Sequence, residues 1–408
     1  MRYKIDQLVQ LIMDYRGKTP KKLGMNWTEN QSDIVALSAK NIKDNKIVNT
    51  DKSHYGSEPL YKSWMKDGDI EPGDILITSE APLGEVYLIT KPIKAILSQR
   101  LFLLRFNKNI VNPWYIFALM NSQSFKSQLF LKATGTTVVG IKQKELRKIE
   151  IELPNIRLQN KIGYIFRVIY KKIIINEIIN DNLLELAKAK FTQTYELPTN
   201  EFQKIPNGWE CSKLDKIITF SNGHNFKSNE MLKVPEPLTY KIFKQGNISI
   251  GGGLNDLGTK NWIQKNKVKN LDKYVLKKRD LLMAMTDMKN KVAILGNTAL
   301  MNRDNQYILN QRVGLIRSNN YNNTSPYYLF LLTNSKPFLH RIRLKAHSGV
   351  QVNLSSKDIK NMNILIAPKE VNNNFNIFVK PFFEKIMENQ VENLTLREIK
   401  QILLNKIF

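Results

Sequence analysis

Most of this chain occurs twice, and that constrains its fold more than any motif does. Leu8-Val9-Gln10-Leu11-Ile12 followed by Gly17 is matched by Leu214-Asp215-Lys216-Ile217-Ile218 followed by Gly223, a separation of 206 residues (17 to 223). At the same separation Asn41-Ile42 meets Asn247-Ile248, and Asp74-Ile75-Leu76 meets Asp280-Leu281-Leu282. It grows to 212 where Gln99-Arg100 meets Gln311-Arg312. It settles at 213 where Pro113-Trp114-Tyr115 meets Pro326-Tyr327-Tyr328, Asn121-Ser122 meets Asn334-Ser335, and Lys172-Ile173 meets Lys385-Ile386. Chance matches scatter in separation, whereas these run in one ordered series. The two halves are therefore expected to share one fold.

Each half has a mixed part and a helical part. Asp74-Ile75-Leu76-Ile77-Thr78, Leu101-Phe102-Leu103-Leu104 and Ile149-Glu150-Ile151-Glu152-Leu153 read as strands, being short, apolar or β-branched, and punctuated by Gly and Pro. A helix is expected after Asn112-Pro113, since Asn suits the N-cap and Pro the first helical position. Then comes a seam with steps of four and three: Ile162, Phe166, Ile169, Ile173, Asn176, Asn180, Leu183, Ala187, Lys190. Its copy reads Phe375, Val379, Phe382, Ile386, Asn389, Asn393, Leu396, Lys400, Leu403. Such a seam needs a partner helix, and the other copy supplies one. Paired antiparallel about a pseudo-two-fold axis, Asn176 and Asn180 are expected to face Asn389 and Asn393, fixing register at some expense of stability; the alternative is that they sit at a wet helix edge.

The expected organisation is α+β: two similar mixed domains, residues 1–155 and 199–368, joined by two long helices, 156–198 and 369–408, that form an antiparallel coiled coil. Glu201 to Gly208 reads as a linker, and Trp209 as an early anchor of the second copy. A helix of ~40 residues would be ~60 Å long at 1.5 Å per residue.

The chain carries 62 Lys+Arg against 36 Asp+Glu, a formal charge of +26 over 408 residues, which favours a polyanionic partner; AT-rich coding, with its surplus of Lys, Asn and Ile, also raises the charge. One cysteine, Cys211, excludes an intramolecular disulfide framework and a Cys-based zinc site. The start has no apolar signal core, and Ile173-Ile174-Ile175-Asn176-Glu177-Ile178-Ile179 is too short and polar to span a bilayer. A reducing cytoplasmic setting and no membrane partner are expected.

Catalytic patterns fail on inspection. Asn112-Pro113-Trp114-Tyr115 is similar to the Asn/Asp-Pro-Pro-Tyr motif of amino-methyltransferases, but no Gly-rich cofactor turn follows a strand upstream, and a helix cap explains it better. Gly253 to Lys260 places Gly258-Thr259-Lys260 in the wrong order for a phosphate loop. Asp74 with Glu85-Val86-Tyr87 lacks the Lys of a nuclease metal site, and His54, His224, His340 and His347 have no ligand spacing. The chain is expected to be non-catalytic, without a metal.

Binding residues are more plausible. Arg16, Lys18, Thr19, Lys21 and Lys22 flank the Gly17 turn, and Asn222, His224, Asn225 and Lys227 flank Gly223. A Gly turn lets backbone approach a phosphate while Arg, Lys, Asn and His reach base edges; the competing reading is a solvated loop. Lys40, Asn41 and Lys43 stand opposite Asn247 in a loop that differs between halves, and Thr134, Thr136 and Thr137 stand opposite His347, Ser348 and Gln351. Gln99-Arg100 and Gln311-Arg312 offer contacts of the same kind, but each pair precedes an apolar strand, which favours a buried structural arginine there.

The pattern resembles the specificity subunit of type I restriction–modification systems. The resemblance is carried by Ala133-Thr134-Gly135-Thr136-Thr137, then Ile141, Leu146, Ile149, Ile151, Leu153-Pro154, Gln159, and the Lys172-Ile173…Asn176 helix, in an order that recurs in the second half and covers essentially the whole chain. It implies two target-recognition domains, each reading one half of a split double-stranded DNA sequence, with the coiled coil as ruler and dock for two methyltransferase (modification) subunits. A translocating restriction subunit can join them. S-adenosylmethionine, ATP and magnesium would then belong to the partners. The second half departs from the family pattern at Ala346-His347-Ser348-Gly349-Val350 and Ala367-Pro368-Lys369-Glu370. Two other readings stand: a self-sufficient DNA-modifying enzyme, for which the duplicated halves leave no room for a cofactor domain, and a solitary sequence-specific DNA-binding regulator.

Overall fold

The computed structural model describes residues 1–195, 205–268, 270–288, 292–348 and 351–408, with nothing to be said of the Ser348 side chain. The boundary expected at residue 198 and the linker residues 201–204 lie outside the described residues. The chain divides into two compact units, Met1–Ile174 with Thr395–Phe408, and Ile175–Leu394.

The first unit is built on strands β1 (Val9–Asp14), β2 (Ile75–Thr78), β3 (Val86–Leu88) and β4 (Leu101–Phe106). They form an antiparallel sheet in the order β1-β4-β2-β3. Central β4 pairs Phe102 with Asp14 on one side and Leu101 with Thr78 on the other. Its residues face two cores. Phe102, Leu104 and Phe106 pack with Ile116 and Met120 of helix α1 (Pro113–Asn121), while Leu101 and Leu103 pack with Leu37, Trp64 and Ile96. A strand covered on both faces reads as a continuous apolar run rather than an alternation. Asn112 caps α1, its Oδ1 accepting from Trp114 N (2.9 Å) and Tyr115 N (3.0 Å), with Pro113 in the first turn. The long helix α2 (Ile156–Tyr195) begins in this unit.

The second unit repeats the plan. Strands β5 (Ile218–Asn222), β6 (Leu281–Ala284), β7 (Thr298–Leu300) and β8 (Val313–Ser318) are ordered β5-β8-β6-β7. Helix α3 (Pro326–Asn334) is capped by Ser325 Oγ, which accepts from Tyr328 N at 3.1 Å. Each unit adds a parallel pair, Ala36-Leu37 with Ile96-Leu97 and Lys241–Phe243 with Tyr307–Leu309. Each also closes with an antiparallel pair, Arg2–Lys4 on Glu150–Glu152 and Glu210–Lys213 on Asn363–Ile366. The duplication seen in the sequence is thus present in the main sheet, the parallel pair, the closing pair and the capped helix of each unit.

One ion pair recurs with the fold. Arg105 on β4 grips Asp74 through Nε (2.9 Å) and Nη2 (2.8 Å), and Arg317 on β8 grips Asp280 in the same way (2.6 and 2.7 Å). Both carboxylates also accept a turn N–H, from Glu71 and Lys277, each at 2.8 Å. Asp74 is fully buried, so a two-point grip is what makes its charge tolerable there; it serves the fold, not a metal.

The helix α4 (Lys369–Ile407) runs antiparallel to α2 within each unit. In the first, Phe166 packs with Leu404 and Phe408. In the second, Asn176 Nδ2 donates to Asn393 Oδ1 at 2.9 Å and Asn389 Nδ2 donates to Asn180 Oδ1 at 2.9 Å, while Tyr195 OH donates to Asn372 Oδ1 at 2.8 Å. The two Asn pairs exchange equivalent repeat positions, as a local two-fold between the helices requires. Ile169, Ile173 and Ile386 are buried, and Leu183, Leu396 and Phe382 half-buried. Phe382 is less covered than its neighbour Phe383, which stacks on Tyr327 with ring centroids 5.0 Å apart.

Glu384 ties α4 to its domain. It accepts from Lys278 Nζ (2.8 Å), Arg279 Nε (2.8 Å) and the Tyr327 hydroxyl. Burial alone would push this carboxyl up, but those donors outweigh it and hold the pKa at about 2. A depressed carboxylate contributes stability above its unfolded value and loses it as pH falls through the folded one. Glu384→Gln should therefore lower the thermal midpoint at neutral pH, and the gap to wild type should shrink as pH drops from about 5 toward about 2. In the helix seam, Asn389→Leu should destabilise by ~1–3 kcal/mol because it leaves Asn180 without its donor. Leu at all four Asn positions should instead raise the midpoint while relaxing helix register, seen as more than one cross-linked register.

Candidate nucleic-acid interface

The first unit holds a basic cleft of about 520 Å³. Lys18, Lys21, Lys40 and Arg100 line it together with Gln99, Thr19, Trp27 and His54, and among the described residues no carboxylate does. The Trp27 and His54 rings stack, with centroids 5.4 Å apart and planes 9° from parallel. Cations beside an exposed stacked ring form a surface suited to a nucleic-acid backbone and bases.

The candidate residues divide sharply within this unit. Asn41 is fully buried and belongs to the fold, contrary to its expected DNA role. Its Nδ2 donates to Val48 O (3.0 Å), Asn49 O (3.2 Å) and Ser53 Oγ (2.8 Å), and its Oδ1 accepts from Ser38 N (3.0 Å). Arg16 is also committed: it pairs with Asp14 (2.6 Å), lies over the Phe102 ring (4.4 Å) and donates to Ile141 O. Lys18 donates to Trp64 O at 2.7 Å, and burial pushes its ammonium pKa down, so it shapes the cleft wall. Lys22 donates to Gly17 O and Lys40 to Lys52 O, both remaining exposed. Lys21 and Lys43 are exposed. Thr19 is half-buried, immediately before the 3-10 turn Pro20–Leu23. Thr134, Thr136 and Thr137 sit on an exposed loop pinned by reciprocal Thr134–Gly140 backbone bonds (2.8 and 2.9 Å).

The second unit answers with different side chains on the same frame. Asn247 is fully buried like Asn41, its Oδ1 accepting from Lys244 N (3.0 Å) and its Nδ2 donating to Asn255 O (3.1 Å), so it too leaves the list of DNA contacts. His224 packs against Phe226 and Tyr274, while Asn225 and Lys227 are exposed. Asn222 accepts from Ser356 Oγ, and His347 Nε2 lies 3.1 Å from Asp358 Oδ2. Gln351 Oε1 accepts from Arg312 Nη1 at 2.8 Å.

The Gln-Arg turns overturn their expected burial. Gln99, Arg100, Gln311 and Arg312 are all exposed. They occupy the turn leading into β4 or β8, so only the residue that follows enters the core. Arg100 has φ +64° there. Among the described residues no cluster of His, Cys, Asp or Glu could hold a metal, and no helix is long and apolar enough to cross a membrane.

A family model described as the type I restriction modification DNA specificity domain matches this chain twice, at residues 2–185 and 206–396. The chain belongs to that family. Its function is DNA sequence specificity within a type I restriction–modification system. It is similar to the type I restriction enzyme MjaIX specificity subunit of Methanocaldococcus jannaschii, 26% identical over 82% of this chain and 76% of that protein. It is also similar to the MjaVIII specificity subunit of the same organism, 27% identical over 60% of this chain and 57% of that one. In fold it matches the crystal structure of a type I restriction-modification system S subunit from M. genitalium, with a TM-score of 0.62 and 14% identity, covering 100% of this chain and 96% of that one.

Sequence reasoning passed over Trp27 and His54 for this specificity function, and weighed Arg100 for it but favoured burial. Trp27 and His54 lie far apart in the chain, and no spacing rule links them. The two classes of candidate are separable by experiment. Asn41→Ala should cost ~1–3 kcal/mol of stability, because it strands buried donors and acceptors. Lys21→Ala should shift stability by less than about 0.5 kcal/mol, yet weaken duplex binding and lower the slope of log K against log salt by about 1. Thermal melts and salt-dependent binding report the two.

Proposed function

We propose that each half of this chain reads one part of a bipartite double-stranded DNA site, and that α2 and α4 set the gap and dock two methyltransferase subunits. The observation carrying this reading is one topology present twice, with a shared turn-and-sheet frame and different side chains at the candidate interface. Identical readers would suit a symmetric site; divergent loops suit two different half-sites. The formal charge of +26 suits the phosphate contribution to affinity.

Docking has its own support. Within the first unit α2 exposes Tyr164, Ile165 and Val168, and within the second Ile175, Ile178 and Leu186. Apolar side chains on a helix face that its paired helix does not cover suit partner subunits. In this reading the chain is non-catalytic, S-adenosylmethionine, ATP and magnesium are held by the partners, and a restriction subunit can join the assembly. The self-sufficient enzyme is less well supported, because the family match spends both halves on specificity domains. A solitary regulator leaves the exposed apolar helix faces without a purpose.

Exchanging residues 1–155 for the corresponding domain of another specificity subunit should change one half-site and leave the other, and the gap, intact. Loss of both half-sites on exchange would contradict the modular reading. The modified sites of the assembled complex provide the readout.

A further inference from the structure

We propose that Arg100 reads a guanine in the half-site of the first unit, with Glu80 as its positioning residue. This rests on the DNA-reading function proposed above and names a base and the group that selects it. Arg100 is the one guanidinium among the described residues that line the cleft. The cleft's other cations are lysines, which act on phosphates as mobile point charges. The Arg100 side chain is 51% exposed and its Nε lies 2.8 Å from Glu80 Oε1. With the ion pair at Nε, neither terminal nitrogen makes a hydrogen bond among the described residues, and that fork matches the O6 and N7 acceptors of guanine in the major groove.

The brace is itself held. Ser79 N donates to Arg100 O at 2.9 Å, and Ile141 N donates to Ser79 O at 2.9 Å. Gly140 forms a β-bridge with Glu80, and a Cβ added at Gly140 would stand 3.0 Å from Glu80 Cβ and 3.1 Å from its Oε2. Glu80 is thus confined between the Gln-Arg turn and the Thr134–Gly140 loop. A carboxylate beside an arginine weakens its pull on a phosphate, so the pairing makes little sense for a simple backbone clamp. It does make sense for a base reader, where a fixed fork discriminates and a mobile one does not. The second unit keeps the turn, with Met285 N donating to Arg312 O (3.3 Å), but braces its arginine with the neutral Gln351.

The test uses the full-length chain assembled with its methyltransferase subunits, and maps modified sites together with the enrichment of randomised duplexes. Wild type should require guanine at one position of the first half-site. Arg100→Lys keeps the charge but loses the fork. Discrimination at that position should fall by ~5- to 150-fold, the equivalent of 1–3 kcal/mol for a bidentate contact, with the second half-site and the salt slope unchanged. Glu80→Ala should relax the same position, and Glu80→Asp, which keeps the carboxylate for the ion pair, should relax it less. Arg100 is exposed, so thermal melts should show both Arg100 and Glu80 variants folded. An unchanged recognition sequence with uniformly weaker binding would overturn the proposal in favour of a phosphate contact, as would relaxation in the second half-site. A wild-type assembly without sequence preference would instead overturn the DNA-reading function itself.

Discussion

Two polar pairs in an apolar seam, Asn176 with Asn393 and Asn180 with Asn389, set how α2 lies against α4. An all-apolar seam could slide by a heptad at small expense, because one layer of Leu or Ile packs much like the next. A buried amide cannot slide without leaving its partner unpaired, which costs more than the pair contributes. Glu392 strengthens the lock by accepting a second bond from Asn176 at 2.7 Å. For the spacer role proposed for these helices, a single register matters more than the last increment of stability.

Each unit separates a constant frame from variable fittings. The four-stranded sheet, the capped helix after it and the buried Arg–Asp grip recur in both units. Asn41 and Asn247 belong to the same frame, each closing its turn from inside. What differs is mounted on the exposed turns: a Trp27–His54 stack and lysines in the first unit, His224 and amides in the second. Such an arrangement lets the recognised sequence change without disturbing the core, because exposed loop positions carry little of the folding energy.

The sequence made the frame legible and the fittings much less so. Duplicate order, strand composition and the Asn112-Pro113 cap are local or statistical signals, and each matches an observed element. The Asn positions of the seam followed from periodicity alone. Asn41 misled because a polar residue between lysines looks solvated, when its amide is in fact folded inward to satisfy three backbone groups and two serine hydroxyls. Arg100 misled in the opposite direction. Its place before an apolar strand suggested burial, but the turn aims it outward, and turn geometry is a property of backbone torsions that spacing does not encode. Arg16 looked free and is held by Asp14 two residues earlier, a pairing made in the turn that follows the end of β1 at Asp14.

The most direct measurement is a genome-wide methylation map of a host with and without the intact gene for this chain. A set of modified sites should appear only with the gene, each made of two short defined sequences separated by a gap of constant length. A contiguous recognition sequence, a gap of variable length, or a map unchanged by the gene's removal would contradict it.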